Sequence, residues 1–358
     1  MKKLMTLALL SLTLAVNAQE KASTVEVPEW VKNIKISGYG MLQYQAEDKE
    51  GGEHNDFNLR LLRVIADGKI GDFDWRAQVQ GTLGTGPGNA TCYLVDLYTE
   101  WNKYKEFRIK AGQFKRAFTF ENPTHPITQG WYSYAMVVNN LSGFGDRTGE
   151  KSSGGRDIGL QIQGDLFPNA SGRRLLHYQV GVYNGEGINA KDKDNKKDII
   201  GGLWVMPIDG MRIGAFGWTG TRGEMEMALT NGSTATIESA RKNRYALSAE
   251  YDKNEFTFRT EYIHSEGWGS KESLGDKADG WYVFGIVPVI KSKLHAKARY
   301  NVYRNDKSWK HMKSMYEVGV NYFFTKKLQM NFEYARVNDR TATKHNYNFV
   351  DLELDFRF

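Results

Sequence analysis

The chain has 358 residues, with 48 Lys or Arg against 42 Asp or Glu and a formal net charge of +6. Aromatic residues reach 13%, yet the mean hydropathy of −0.55 is that of a soluble protein. Beyond the N-terminus no apolar stretch approaches the roughly 18–20 residues that a membrane helix needs, and no Lys/Arg block predicts nucleic-acid binding. The single cysteine, Cys92, excludes an internal disulfide, and we interpret it as a small buried residue.

The N-terminus predicts export. Lys2 and Lys3 precede an apolar run over 4–16, and Val16-Asn17-Ala18 offers a cleavage site. This pattern is typical of a signal peptide over 1–18, whereas the alternative is a short buried helix. Cleavage leaves 46 basic and 42 acidic residues, a weak charge of +4. We assign residues 19–33 to an N-terminal periplasmic segment and 34–358 to a membrane domain.

A period of two organises the rest of the chain. In the C-terminal segment, Val350, Leu352, Leu354, Phe356 and Phe358 alternate with Asp351, Glu353, Asp355 and Arg357. A β-strand separates two such sets onto opposite faces, whereas an α-helix mixes them. The same alternation recurs upstream, for example over 73–80, 256–262, 294–301, 316–322 and 328–334. The sequence therefore predicts an all-β protein.

The links between the strand candidates alternate between short and long. The short ones include 71–72, 168–174, 253–255 and 325–327; the long ones include 46–56, 184–198, 219–243 and 264–279. Strict alternation places every short link at one end, as expected for periplasmic turns opposite external loops. With about sixteen candidates, the prediction is a transmembrane antiparallel β-barrel, closed because no strand edge can stay unpaired in hydrocarbon.

The longest link, residues 115–155, follows the fifth strand candidate. At about 40 residues it exceeds ordinary loops, which indicates a function or disorder. Its aromatic residues, including Phe118, Phe120, Trp131 and Tyr134, favour packing over disorder. A barrel of about sixteen strands has room inside for such a segment. We expect this third external loop to fold into the lumen and constrict the pore.

Several basic residues fall on the strand faces that should point into the lumen: Arg63, Arg76, Lys110, Arg212, Arg259, Lys297 and Arg299. Cationic side chains around a narrow pore select anions. The same faces also carry acidic residues: Glu100, Glu250, Glu261, Glu317, Glu333, Asp351, Glu353 and Asp355. The alternative is therefore a hydrated lumen held rigid by arginine–carboxylate networks.

Four motifs carry a resemblance to a known family. The run Ala111-Gly112-Gln113-Phe114-Lys115-Arg116-Ala117-Phe118, with Glu121 after it, resembles a segment of the phosphate-selective porin O/P family. The segments 155–161, 180–185 and 59–64 are similar to that family's strand motifs in the same order. Asp157 stands where the family often has a second arginine, and Ala117 stands where proline is usual.

The resemblance implies a sixteen-stranded trimeric porin whose basic ladder guides phosphate past the third loop. It gives Lys115 the place of the family lysine at the loop entrance, beside Arg116, and gives Arg60, Arg63 and Arg156 places in basic patches. Together with the lumen-facing set, eleven residues become candidate pore-lining cations: Arg60, Arg63, Arg76, Lys110, Lys115, Arg116, Arg156, Arg212, Arg259, Lys297 and Arg299.

We therefore expect a passive channel in the bacterial outer membrane for small hydrophilic solutes, leaning towards anions such as phosphate. A homotrimer in contact with outer-membrane lipid is expected, without nucleic acid, cofactor, metal or catalytic residues. One alternative is a non-selective or cation-passing porin, which the acidic faces of the last strands favour. Alternatives of another class are a barrel hydrolase and a plugged structural or receptor barrel.

Overall fold

The computed structural model describes residues 33–83, 90–150, 154–228, 234–267 and 277–358. The predicted signal peptide over 1–18 and the predicted periplasmic segment, except for residue 33, lie outside the described residues. Within the described ranges, no helix is long and apolar enough to cross a membrane.

Strands account for most of the described chain. The first nine are β1 Lys35–Glu47, β2 His54–Ile70, β3 Phe73–Leu83, β4 Ala90–Tyr104, β5 Phe107–Lys115, β6 Arg156–Pro168, β7 Arg174–Tyr183, β8 Asp198–Val205 and β9 Met211–Thr219. The others are β10 Thr221–Ala228, β11 Thr234–Lys253, β12 Phe256–Gly267, β13 Lys277–Ile290, β14 Leu294–Arg304, β15 Met312–Thr325, β16 Leu328–Asp339 and β17 Asn346–Arg357. One short helix, α1, spans Met136–Leu141, and 3-10 turns span Pro126–Thr128 and Trp309–His311.

These strands form one closed antiparallel sheet. Apart from β9 and β10, strands that are neighbours in sequence pair with each other, and the last strand returns to the first, with Gly40 opposite Phe356. Strands β9 and β10 follow one another across Gly220 and both pair with β11, so together they make one continuous crossing. Counted in this way, the barrel has sixteen strand crossings, which confirms the predicted strand number and closure.

Burial along each strand is the reverse of that in a soluble protein. On β17, Leu352 and Leu354 are 39% and 37% exposed, whereas Asp351 and Glu353 are 1% and 0% exposed. Apolar side chains thus face outwards and polar side chains face the interior, as hydrocarbon outside and water inside require. Cys92 also lies exposed, which contradicts our interpretation of it as buried: the alternation of β4 turns it away from the interior.

Two features of the strands differ from the predicted pattern. The predicted long link 219–243 is mostly a hairpin in which β10 pairs with β11 from Thr221↔Arg241 to Ala228↔Thr234. Pairing with β11 thus continues from β9 into β10, through a stretch that the sequence analysis assigns to a link. In β2, the register shifts so that Met41 pairs with Leu61 and Leu42 with Leu59. This bulge adds Arg60 and turns both Arg60 and Arg63 inwards, although they stand three positions apart in the sequence.

Candidate functional site

The residues between β5 and β6, 116–155, contact the strands on the far side of the barrel. The carboxylate of Glu261 on β12 accepts hydrogen bonds from the backbone N–H groups of Phe120 (2.8 Å) and Glu121 (2.9 Å). Lys297 and Arg299 on β14 donate to the carbonyl oxygens of Gly130 (2.8 Å) and Ser133 (2.9 Å). These side chains belong to the polar face of their strands, so the segment is held against that face. We call it the inner segment.

Aromatic side chains fix the inner segment further. Phe118 packs edge-on against Trp218, with ring centroids 5.4 Å apart. Phe120 meets Trp204 at 5.5 Å. Trp131 packs against Phe284 at 5.7 Å. Each edge-to-face pair adds roughly 0.5–1.5 kcal/mol beyond the burial of its area, so these contacts resist displacement of the segment.

Between the inner segment and β3–β9 lies a cavity of about 320 Å³, which we call the middle cavity. Six of the eleven candidate cations line it: Arg76, Lys110, Lys115, Arg116, Arg156 and Arg212. Asp96 is the one carboxylate among its described lining residues. Six of the sequence-predicted residues are therefore brought together here, from four strands and the start of the inner segment.

Two further cavities adjoin the middle cavity. The outer cavity, of about 120 Å³, includes Arg63 and Tyr93 and shares Lys115 and Arg156 with the middle cavity. The inner cavity, of about 550 Å³, includes Lys35 and shares Arg76 and His125 with it.

Because the middle cavity shares lining residues with each of the other two, it lies between the outer and the inner cavity. The outer cavity contains Tyr93, near the long-link end of β4, whereas the inner cavity contains Lys327, in a short turn. We call this series the basic corridor.

Five of the seven candidate cations in the basic corridor are held by carboxylates. Arg156 forms a paired contact with Asp96, at 2.7 and 3.1 Å. Arg116 contacts Asp157 at 2.8 Å and Glu150 at 2.9 Å, and it is fully buried. The remaining pairs are Arg76 with Asp67, Lys110 with Glu100 and Arg212 with Glu250. Such pairs orient the cationic groups and reduce their net charge.

Among the eleven candidate cations, Lys115 and Arg63 are the two without a carboxylate within 4.0 Å among the described residues. Lys115 donates to the carbonyl oxygen of Asn122 at 2.6 Å, and its ammonium lies 5.0 Å from the ring centre of Tyr134. Arg63 donates to Gln80 and to the hydroxyl of Tyr39. Their hydrogen-bond partners are uncharged, so no neighbouring carboxylate offsets their charge in the cavities that they line.

Four candidate cations lie outside the basic corridor. Arg60 is bound to Glu353, Arg259 to Glu250, Lys297 to Glu333 and Arg299 to Glu317. Lys297 and Arg299 also donate hydrogen bonds to the backbone of the inner segment. Beside them, side-chain amides bind two further carboxylates. Gln43 and Gln45 donate to Asp351, and Gln329 and Asn331 donate to Asp355. The interior thus has a basic wall over β2–β9 and an acidic wall over β15–β17.

Sequence analysis missed two histidines of the basic corridor. His177 on β7 lines the middle cavity, stacks on Trp204 with ring centroids 3.9 Å apart and contacts Asp165 at 2.7 Å. His125 in the inner segment lies where the middle and inner cavities meet. Burial, together with Lys115, Arg156, Arg63 and Arg76, lowers the pKa of His125 to about 3. Strand alternation could have located His177, but no periodic pattern covers His125.

The comparisons with known proteins agree with this architecture. The model of the family described as phosphate-selective porin O and P matches residues 37–358. Comparison with curated proteins finds no match.

Several solved structures are similar to this fold. An anion-selective porin from Comamonas acidovorans superimposes with a TM-score of 0.63 at 10% identity, covering 91% of this chain and 99% of its own. OmpF of Salmonella typhi, in complex with daunomycin, gives 0.63 at 10% identity, covering 91% and 98%. The outer-membrane channel DcaP of Acinetobacter baumannii gives 0.61 at 10% identity, covering 91% and 97%. At such identities, the likeness concerns the fold.

Proposed function

Because the chain belongs to the phosphate-selective porin O and P family and forms an outer-membrane porin channel, we propose that it passes small anions, phosphate among them. The inner segment is proposed to constrict the lumen, and solutes would pass by diffusion along the basic corridor. No catalytic group is needed, because conduction requires only weak attraction at successive sites.

The observation that carries this proposal is the basic corridor itself. Consecutive cavities present cations from Arg63 through Lys115, Arg156 and Arg76 to Lys35 and Lys327. Guanidinium groups bind oxyanions through paired hydrogen bonds, and ammonium groups act as point charges. A small anion would therefore meet a cation at each step, including Arg63 and Lys115, which have no carboxylate partner among the described residues. The anion-selective neighbour from Comamonas acidovorans is consistent with this proposal.

A second candidate function follows from the acidic wall. Asp351, Glu353 and Asp355 face the interior on β17, and carboxylates in a pore favour cations. Two observations favour the anion proposal over this one. Glu353 is neutralised by Arg60, and side-chain amides already bind Asp351 and Asp355. A non-selective or cation-passing porin of the same fold remains the rival that the experiment below distinguishes.

Three further parts of the proposal concern processing and assembly. We propose that residues 1–18 are a cleaved signal peptide and that residues 19–33 lie in the periplasm. We also propose a homotrimer, which the family resemblance implies. Mass spectrometry of protein purified from outer membranes tests the cleavage site. Light scattering of the detergent-solubilised protein tests the trimer, and a monomer mass would contradict it.

The experiment is single-channel recording of the refolded mature protein in a planar bilayer across a potassium chloride gradient. We expect a reversal potential of the sign set by chloride and block of the current by added phosphate. The variant Lys115→Gln should lower the anion-to-cation permeability ratio several-fold, because it removes a cation that has no carboxylate partner.

The matched control is Lys310→Gln, which removes the same charge at an exposed link position. Its reversal potential should equal that of the wild type. Cation-selective or unselective steps in the wild type would contradict the anion proposal and favour the rival porin. Correctly folded barrels without any steps would indicate a plugged barrel instead.

A further inference from the structure

His125 occupies the junction of the basic corridor. It lines both the middle and the inner cavity, and Arg76 is the one other described residue to do so. An anion moving directly between these cavities would pass beside these two side chains. Arg76 is bound by Asp67 through two contacts, at 2.7 and 3.0 Å. Of the two side chains at this junction, His125 is therefore the one without a carboxylate partner among the described residues.

One ring nitrogen of His125 is unused. Its Nδ1 is buried and has no hydrogen-bond partner among the described residues. A buried polar atom without a partner normally costs about 1–3 kcal/mol, so such an atom needs a reason. The backbone around His125 is satisfied independently: its carbonyl oxygen accepts from Thr128 N (2.9 Å) and Gln129 N (3.1 Å). The imidazole is therefore not needed to shape the inner segment.

The surroundings of His125 are strongly basic. Lys115 on β5, Arg156 on β6, Arg63 on β2 and Arg76 on β3 all act on its charge. Asp96 on β4 is the carboxylate within electrostatic reach, and it is bound to Arg156. On the inner side, the shared cavity adds Asp67, which is bound to Arg76, together with Lys35, Lys327 and Arg357. Without an anion, burial and these cations together keep the imidazole neutral.

We propose that His125 is a selectivity residue of the basic corridor, which takes up one proton when a divalent tetrahedral oxyanion such as sulfate or hydrogen phosphate binds beside it. The anion neutralises part of the surrounding positive charge and offers acceptor oxygens to the ring N–H groups. The imidazolium then donates a hydrogen bond to the anion. A monovalent anion without such oxygens, such as chloride, compensates the cations less and gains no such bond. This inference deepens the proposed anion channel and rests on it.

Linkage gives the sign of the effect. If binding takes up a proton, the anion binds more tightly as the pH falls, by at most about tenfold per pH unit for one proton. Sulfate is the suitable probe because both of its acid groups stay ionised near neutral pH. Phosphate changes its own charge in that range and would confuse the result. The pH dependence of sulfate block therefore reports the titration of groups on the protein and not that of the anion.

The experiment measures block of chloride current by sulfate at about pH 6 and about pH 8, in the wild type and in His125→Asn. We expect wild-type sulfate block to weaken at least about threefold from the lower to the higher pH. The His125→Asn variant should lose most of this dependence while keeping anion selectivity. The control His295→Asn replaces a histidine outside the three cavities, and its pH dependence should match that of the wild type.

A calorimetric measurement gives an independent readout. Sulfate titrated into the wild-type barrel in buffers of different ionisation enthalpy should reveal uptake of about one proton or less, and His125→Asn should take up less than the wild type. If His125→Asn folds, selects anions and retains the full pH dependence, His125 has no such role. If the wild type is not anion-selective, the proposed function fails, and this inference fails with it.

Discussion

Glu121 is a buried carboxyl group that lies beside another carboxylate. It is fully buried in the inner segment, where one of its oxygens accepts from Ala135 N at 3.1 Å. Burial raises the pKa of Glu121 to about 7, and nearby Glu261 adds to this, while Arg299 and Arg259 oppose it. The native protein therefore retains a proton here that the unfolded chain releases at lower pH.

This raised pKa predicts a pH-dependent loss of stability. Because the group binds its proton more tightly when folded, the free energy of unfolding should fall as pH rises from about 4.5 to about 7. Glu121→Gln removes this contribution, which amounts to at most about 3 kcal/mol at about 1.4 kcal/mol per pKa unit. Denaturant unfolding of the refolded barrel at about pH 5 and about pH 8 measures it.

The control for this prediction is Glu50→Gln, at an exposed position in the link between β1 and β2. It should keep the pH dependence of the wild type. An unchanged pH dependence in Glu121→Gln would mean that the carboxyl group is ionised in the native state across this range.

At the scale of elements, the attachment of the inner segment to the strands depends strongly on one residue of β12. Glu261 accepts from two consecutive backbone N–H groups, at Phe120 and Glu121, and from the hydroxyl groups of Ser248 and Tyr282. It therefore ties the start of the inner segment to β12. Buried backbone donors that lose their acceptor each cost about 1–3 kcal/mol.

Replacing Glu261 should loosen the inner segment without opening the barrel. In Glu261→Ala we expect larger single-channel conductance with more open-channel noise, because two anchoring hydrogen bonds are lost where the segment begins. Single-channel recording measures both quantities. The control Glu266→Ala removes a carboxylate near the end of the same strand, where it contacts Lys277 and His264 and no residue of the inner segment. Equal conductance and noise in the two variants would contradict this function of Glu261.

At the scale of the whole molecule, closure decides stability. Strand β17 pairs with both β16 and β1, so it joins the two ends of the sheet. Hydrocarbon offers no partner to an unpaired backbone N–H or C=O group, and each such group costs several kcal/mol. The apolar outer face cannot be stable in a membrane without this last pairing.

Truncation after His345 should therefore abolish folding, because it leaves two open strand edges. Replacing residues 225–237 with Asn-Gly removes nearly as many residues from the β10–β11 hairpin and should leave the barrel intact, because the β9–β11 pairing remains. Heat-modifiable migration on gels after refolding distinguishes the two. A folded truncated barrel, or an unfolded hairpin variant, would contradict this account of closure.

The sequence by itself determined the fold class, the closure and the direction in which most strand side chains point. Lipid outside and water inside impose a period of two on every crossing. The alternation alone therefore predicts that Leu352 faces outwards and Asp351 faces inwards. The same alternation identified Arg76, Lys110 and Arg212 as inward-facing, and the structure places all three on the middle cavity. It did not distinguish the β10–β11 hairpin from a long link.

Only the tertiary structure decided which inward-facing charges act together. Lys297 and Lys115 look alike in sequence, yet Glu333 neutralises the first, whereas the second has only uncharged hydrogen-bond partners. The same holds for His125, which lines two cavities because it belongs to the inner segment, whose backbone is bound by β12 and β14. Net charge at a site depends on partners from distant strands, and period-two patterning carries no information about those distances.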